Sequence, residues 1–189
     1  CPLLTTIYNI EGLEVIDCEF CPLLTNIPNI KGLKSLNCSE CPLLTNIPII
    51  EGLKQLSCGN NLLLTNVPNI EGLRILSSYN NLLINIPNIK GLEIIECGNN
   101  PLLINISNIK GLKKIYCSGC SSLIIIPNIE GLNYIDCINC PLLMYIPSLE
   151  KIRYNKELLK LPFEGCKYLT SKKMDKLYNN IYYLWKSYK

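Results

Sequence analysis

Hydrophobic and polar positions recur in the same order, unit after unit, along most of the chain. In one unit, residues 33–47, the apolar positions that we expect to face the interior are Leu33, Leu36, Cys38, Cys41, Leu43 and Ile47. Leu36 and Cys38 lie two apart in the sequence, a spacing that puts both side chains on one face of a strand and Asn37 on the opposite face. The pattern therefore predicts one short, half-buried strand in each unit.

The dipeptide Gly-Leu marks the repeat and gives its period. Successive glycines of this dipeptide differ in sequence number by 20, 20, 20, 19, 20 and 20, and the one shorter interval reflects a deletion in NLLINIP (81–87) relative to NLLLTNVP (61–68). A period of about 20 residues leaves no room for two helices per unit and predicts a solenoid, in which successive units stack as coils. We number the coils one to seven after these glycines, which are Gly12, Gly32, Gly52, Gly72, Gly91, Gly111 and Gly131.

A proline follows the isoleucine or valine in the second half of most units. Because proline has no N–H to donate to a strand ladder, this half is predicted to be extended or turn-like rather than part of a central sheet. The prolines in question are Pro28, Pro48, Pro68, Pro87, Pro127 and Pro147.

The unit G-L-x-x-L-x-C-x-x-C/N, found over about residues 1–162, resembles the leucine-rich repeat, L-x-x-L-x-L-x-x-N/C-x-L. It is most similar to the short class of that repeat, with Ile/Leu-Pro on the convex side, which occurs in bacterial effector proteins and in repeat proteins of giant DNA viruses. Most units here carry one more residue before Ile-Pro than the bacterial effectors do. The resemblance implies a right-handed coil with parallel strands on its concave face, formed by seven regular repeats and one degenerate repeat.

Residues 163–189 depart from the repeat and are predicted to form a C-terminal helical cap. Apolar residues in 170–189 follow the i, i+3, i+4, i+7 spacing of an amphipathic helix, at Met174, Leu177, Tyr178, Ile181, Leu184 and Trp185. We interpret this stripe as covering the open edge of the last coil. An alternative is that the helix docks on a membrane surface or a partner, because it is basic: residues 1–147 carry a net charge of −3 (8 Lys and Arg, 11 Asp and Glu) and residues 148–189 carry +6 (10 against 4).

Most of the twelve cysteines occupy two positions of the unit, and four C-x-x-C pairs result. We call these positions the first slot, which is Cys38 in coil two, and the second slot, which is Cys41 in coil two. Such pairs suggest either Cys₄ zinc sites or disulfides. We favour reduced cysteines in the core, because Asn and Ser replace Cys one slot at a time, as in Asn61 and Ser78. The resemblance implies that side chains in the second slot bond to the turn backbone of neighbouring coils. Free thiols indicate a reducing compartment, the cytoplasm or nucleus, such as that of a host cell.

The sequence predicts neither an enzyme nor a cofactor site. With no histidine in the chain, Cys-His and Ser-His-Asp nucleophile systems are excluded. The glycines are single and periodic, so no Gly-rich phosphate loop is present. Lys and Arg do not interleave with aromatic residues as a nucleic-acid platform requires, and no nucleic-acid partner is predicted.

The remaining candidate is a surface that binds a protein partner through the strand residues pointing away from the core. In coils two and three these residues are small and polar, whereas coils four to seven carry aromatic, β-branched and acidic residues, which suit a protein-binding surface. The candidate residues are Ile75, Tyr79, Ile94, Glu96, Tyr116, Tyr134, Asp136 and Ile138. We further expect Tyr116 and Tyr134 to occupy the same column in neighbouring coils. Strands also favour Ile and Tyr whatever they contact, so the same composition is compatible with a surface that binds nothing.

Overall fold

The computed structural model describes residues 1–146 and 165–166. This part of the chain forms nine short strands. They are β1 (Val15–Asp17), β2 (Ser35–Asn37), β3 (Gln55–Ser57), β4 (Ile75–Ser77), β5 (Asn85–Ile86), β6 (Ile94–Glu96), β7 (Asn105–Ile106), β8 (Lys114–Tyr116) and β9 (Tyr134–Asp136).

Seven of these strands form one parallel sheet in the order β1-β2-β3-β4-β6-β8-β9. Each strand pairs with the equivalent residues of the next unit, so that Leu36 lies opposite Ile16 on one side and Leu56 on the other. Seven strands stacked in this way enclose about six turns of the chain. The prediction of a parallel solenoid with one repeat unit per turn is confirmed.

The periodic glycine ends a tight turn that leads into each strand. In coil two the N–H of Leu33 donates to the carbonyl of Ile30 at 3.3 Å, and Gly32 between them has a φ of +93°. Positive φ at the third residue of a four-residue turn is accessible to glycine at little cost, because glycine has no Cβ. This requirement explains the position that gives the sequence its period.

The interior of coil two differs from the predicted framework at one position. Leu44 is fully buried and Leu43 is 44% exposed, so the prediction that Leu43 faces the core is wrong. From Cys41 the buried residues are spaced every third position, through Leu44, Ile47 and Ile50. A period of three belongs neither to a strand nor to an α-helix, and it turns the second leucine inward instead of the first.

The second half of the unit, which carries the prolines and is here called the far half of the coil, contains a second, smaller sheet. β5 and β7 pair in parallel, with Asn85 opposite Asn105, and bridges continue the row to Ile125 and Tyr145. This half lies outside the seven-stranded sheet, which agrees with the expectation, but its short parallel pairing in the later coils was not predicted. Proline is compatible with this pairing because Pro87 lies just after β5 and removes no donor from it.

A ladder of side-chain hydrogen bonds runs through the interior along the second slot. In coil two the thiol of Cys41 donates to the carbonyl of Cys18 at 3.3 Å, and in coil three the Asn61 amide donates to the carbonyl of Cys38 at 2.9 Å. Asn81, Asn100, Cys120 and Cys140 donate in the same way to the preceding coil. The second slot therefore bonds to the turn backbone of a neighbouring coil, as the resemblance implied.

Gly165 and Cys166 continue this ladder beyond β9, the last strand of the seven-stranded sheet. Cys166 donates to the carbonyl of Cys137 at 3.2 Å, as Cys120 donates to Cys97 at 3.1 Å. Gly165 has a φ of +81°, close to the +77° of Gly119. The dipeptide at 165–166 thus takes the place that Gly119-Cys120 takes in coil six, although the stretch from Cys140 to Cys166 is longer than one regular unit.

The degenerate repeat at 148–162 and the amphipathic segment at 170–189 lie outside the described residues. The helical cap, its membrane-surface alternative and the boundary between residues 162 and 163 accordingly stay predictions. Within residues 1–146 and 165–166, no helix has the length and apolar character needed to cross a membrane.

Candidate binding site on the outer face of the sheet

The face of the seven-stranded sheet that points away from the core, here called the outer face, carries three columns of side chains. Strand register aligns the first two columns, and main-chain hydrogen bonds just after the strands align the third, as from Asn80 N to Gly98 O at 3.0 Å. The first column is Val15, Ser35, Gln55, Ile75, Ile94, Lys114 and Tyr134. The second is Asp17, Asn37, Ser57, Ser77, Glu96, Tyr116 and Asp136. The third is Glu19, Ser39, Gly59, Tyr79, Gly98, Ser118 and Ile138.

The eight candidate residues all lie on the outer face, in coils four to seven. Tyr79 is 37% exposed, and the other seven are half-buried between their neighbours. The structure brings four of the eight together around one pocket, namely Tyr79, Glu96, Tyr116 and Asp136. The remaining four, Ile75, Ile94, Tyr134 and Ile138, lie outside its lining.

The expectation that Tyr116 and Tyr134 share a column is wrong. Tyr134 is in register with Lys114 in the first column, and Tyr116 is in register with Asp136 in the second. The two rings nevertheless touch diagonally, with centroids 4.8 Å apart and planes inclined at 36°. Diagonal neighbours on a sheet are within reach of each other when the side chains are aromatic, so the pair forms despite the difference in column.

The pocket has a volume of about 310 Å³ and lies across coils four to seven. Besides the four predicted residues, its lining consists of residues that the sequence interpretation missed: Gly98, Asn99, Ser118, Gly119 and Asn139. These five belong to the third column or to the turn position that follows it. They lie where the strand ends and the chain leaves the sheet.

Two glycines of the third column give the pocket its shape. A Cβ on Gly59 would lie 3.1 Å from ring atoms Cε1 and Cζ of Tyr79, so the ring of Tyr79 rests over Gly59. A Cβ on Gly98 would lie 3.0 Å from the carbonyl oxygen of Ser118. The backbone of coil six therefore approaches Gly98 too closely for a side chain to fit easily, and a glycine among the outward-facing positions was the available sequence signal for this close approach.

The pocket is negatively charged. Asp136 accepts a hydrogen bond from the hydroxyl of Ser118 at 2.5 Å. The Glu96 carboxylate has no hydrogen-bond partner, and neither carboxylate forms an ion pair, among residues 1–146 and 165–166. Burial raises the pKa of Tyr116, and the nearby charges of Glu96 and Asp136 raise it further. The pKa of Tyr134 is raised by burial and then by Asp136 and Tyr116. Both phenols are therefore neutral hydrogen-bond donors at neutral pH.

The cysteines lie away from this pocket, inside the coils. Cys1 is exposed and the other eleven are buried, and all are free thiols in the structure. Burial raises the pKa of Cys18 and of Cys58 to about 12, which keeps both protonated and able to donate. Among the described residues, no group of three or more Cys, Asp or Glu side chains is placed to hold a metal ion.

The chain matches no protein-family model and no curated protein in the comparisons made. The solenoid architecture therefore rests on the repeat and on the strand register, and the site rests on the geometry of the outer face.

Proposed function

We propose that this chain is a non-enzymatic recognition module of the leucine-rich repeat type, wound in the right-handed sense. Its outer face is the concave surface, and it binds a protein partner there. The observation that carries the proposal is the grouping of three tyrosines on the outer face of coils four to seven: Tyr79 and Tyr116 line one pocket, and Tyr134 packs against Tyr116.

The chemistry of this surface supports protein binding. Tyrosine buries a large area on binding and loses little conformational entropy, because it has only two side-chain torsions. Here the rings of Tyr116 and Tyr134 already contact each other, and that of Tyr79 rests over Gly59. Side chains held in this way before binding reduce the ordering cost of association.

The contrast between coils supports the same proposal. Ile75 and Ile94 are neighbours in the first column of coils four and five, whereas the same column holds Ser35 and Gln55 in coils two and three. The interior repeats from coil to coil while the outer face changes, so the repeat itself does not require the apolar residues on the later coils. A surface that binds a partner accounts for them.

The test begins with affinity capture of partners from a lysate by the whole chain, followed by calorimetry with the wild type and a variant carrying Tyr116→Ser and Tyr134→Ser. If the tyrosines are anchors of ordinary strength, the double change should cost about 2 kcal/mol or more of binding free energy. The free energy of unfolding should fall by no more than about 1.5 kcal/mol, the upper end for one aromatic pair.

The matched control is Ser35→Ala with Gln55→Ala, on the same face in coils two and three. This variant should bind with wild-type affinity. Equal partner affinity of the tyrosine variant and the wild type would remove the outer face of the later coils as the binding surface.

A further inference from the structure

We infer that the pocket on coils four to seven receives an arginine side chain of the protein partner, an inference that rests on the proposed function. Three features of the pocket lead to this assignment: its size, its aromatic walls, and two carboxylates that form no ion pair within the described part of the chain.

The size suits one side chain better than a larger ligand. Pockets for drug-sized molecules range from about 300 to 1,000 Å³, and this one, at about 310 Å³, is at the lower limit. A long side chain projecting from a partner's surface can fill such a hollow while the partner covers the surrounding outer face.

The negative charge of the two carboxylates in the pocket favours a cationic ligand. Glu96 and Asp136 lie on either side of Tyr116 in the second column, and two strand spacings separate them by about 10 Å. Lys114, in the neighbouring column, is exposed and forms no ion pair with either carboxylate. A cationic group entering the pocket thus meets two carboxylates that no cation of the described chain neutralises.

A metal ion fits this arrangement poorly. Ca²⁺ takes six to eight oxygen ligands at about 2.3–2.6 Å, and among the described residues no group of three or more Cys, Asp or Glu side chains is placed to hold a metal ion. An organic cation of several ångströms in length can lie between Glu96 and Asp136, whose strand positions are about 10 Å apart.

The tyrosines select a guanidinium over an ammonium group. Tyr116 lies between the two carboxylates and Tyr79 lines the same pocket. A planar guanidinium stacks on an aromatic face and still directs its five N–H donors to oxygens at its edge, whereas a lysine ammonium is a compact and strongly hydrated charge. Burial and the two carboxylates raise the pKa of Tyr116, which keeps its ring neutral beside the cation.

The test uses a capped heptapeptide of alanine with a single central arginine and the matched peptide with citrulline, which has nearly the same shape and no charge. The peptides are titrated into the whole chain, and NMR follows the amide resonances of Gly98 and Gly119. We expect saturable shifts with the arginine peptide, at least about tenfold weaker binding of the citrulline peptide, and weaker binding of a lysine peptide than of the arginine peptide.

Variants assign the binding to the pocket. The pair Glu96→Gln and Asp136→Asn should weaken binding of the arginine peptide at least about tenfold. Glu96→Gln alone should weaken it about threefold, and it leaves the hydrogen bond of Ser118 to Asp136 intact. The control pair Asp17→Asn and Glu19→Gln removes the same charge from coil one, at the second and third columns of the same face, and should leave binding of the arginine peptide unchanged.

Equal binding of the arginine and citrulline peptides, equal binding of arginine and lysine, or full affinity in both pocket variants would overturn the inference. These results are distinct from failure of the proposed function. If the inference fails but the tyrosine variant still loses the protein partner, the outer face binds and the pocket does not take arginine; if the tyrosine variant keeps the partner, the binding face itself is wrong.

Discussion

Coils two and three and coils four to seven are built on the same interior but present different outer faces. In the early coils the polar side chains satisfy one another: Asn37 donates to Asp17 at 3.1 Å, and the hydroxyl of Ser39 accepts from Gly59 N at 3.3 Å. In the later coils the Glu96 carboxylate has no such partner among the described residues, and tyrosines stand beside it. The comparison shows that the interior is repeated where the coils stack, whereas the outer face differs from coil to coil.

The interior also differs between coils, in the chemistry of its ladder. Coils one, two, six and seven place Cys in the second slot, and coils three, four and five place Asn there. The thiol of Cys41 has one hydrogen, which is shared between Cys18 O at 3.3 Å and Ser39 O at 3.6 Å. Asn61 donates two hydrogens and also accepts from Cys41 N at 2.7 Å. The middle of the stack is therefore more strongly bonded than its flanks.

The largest expected effect comes from breaking the ladder at its centre. Asn61→Ala leaves Cys41 N and the carbonyl of Cys38 buried without partners, and we expect it to lower the free energy of unfolding by about 3 kcal/mol, since each such group costs about 1–3 kcal/mol. Cys41→Ala removes one thiol donation and a small apolar volume, and it should cost about 1 kcal/mol. Urea unfolding of both variants measures the difference.

Binding serves as the control for this pair, because neither residue reaches the outer face. Both variants should bind the partner with wild-type affinity at temperatures where they are folded. Equal destabilisation by the two changes would contradict the distinction between the Asn centre and the Cys flanks.

A smaller effect, of opposite sign, is expected in coil four. Ser78 occupies the first slot, which is Cys in the other six coils, and its buried hydroxyl has no hydrogen-bond partner among the described residues. Ser78→Cys replaces this hydroxyl with a thiol, which tolerates burial better, and should raise the free energy of unfolding by about 1 kcal/mol. The reciprocal change, Cys58→Ser, should lower it by a similar amount in the same urea titration; stabilisation by the second change would show that the slot prefers a hydroxyl.

The smallest effect concerns the residue before the second slot. This residue has positive φ both in coil two, where the second slot is Cys, and in coil three, where it is Asn. Coil two has Glu40 there at +58°, and coil three has Asn60 at +59°. Asn adopts this conformation more readily than Glu, so Glu40→Asn should stabilise the fold by about 0.5 to 1 kcal/mol. Asn60→Glu is the matched reversal and should destabilise it; thermal unfolding of the two variants should shift in opposite directions, and shifts of the same sign would refute this explanation.

The repeat period could be predicted from the spacing of the Gly-Leu dipeptide. The strand positions could be predicted because Leu36 and Cys38 lie two apart, which is the spacing of one strand face. The inward choice of Leu44 over Leu43 was missed, since two adjacent leucines look alike until the period of three is recognised from Cys41 onward. Cys166 was missed because it follows the last regular cysteine at an irregular distance.

The candidate residues could be placed on the outer face because strand alternation fixes which side chains point outward. The pocket could not be predicted, since it depends on where the ring of Tyr79 rests and on how closely the backbone of coil six approaches Gly98. The column of Tyr134 was mistaken, although the unit alignment places it opposite Lys114. The rings of Tyr116 and Tyr134 touch although the two residues stand in different columns. Ring contact therefore does not show that two residues share a column.

The short unit between coils four and five has a consequence for how this molecule can change in length. The strand register continues across it, with Ile75 opposite Ile94, although the far half of that unit carries a deletion. Gains and losses of single residues are therefore absorbed on the side away from the sheet. Whole units can also be added or removed, because each ladder bond stays within one coil or joins two adjacent coils. Each coil added on the N-terminal side of coil four would therefore move the pocket about 4.8 Å further from the N-terminus.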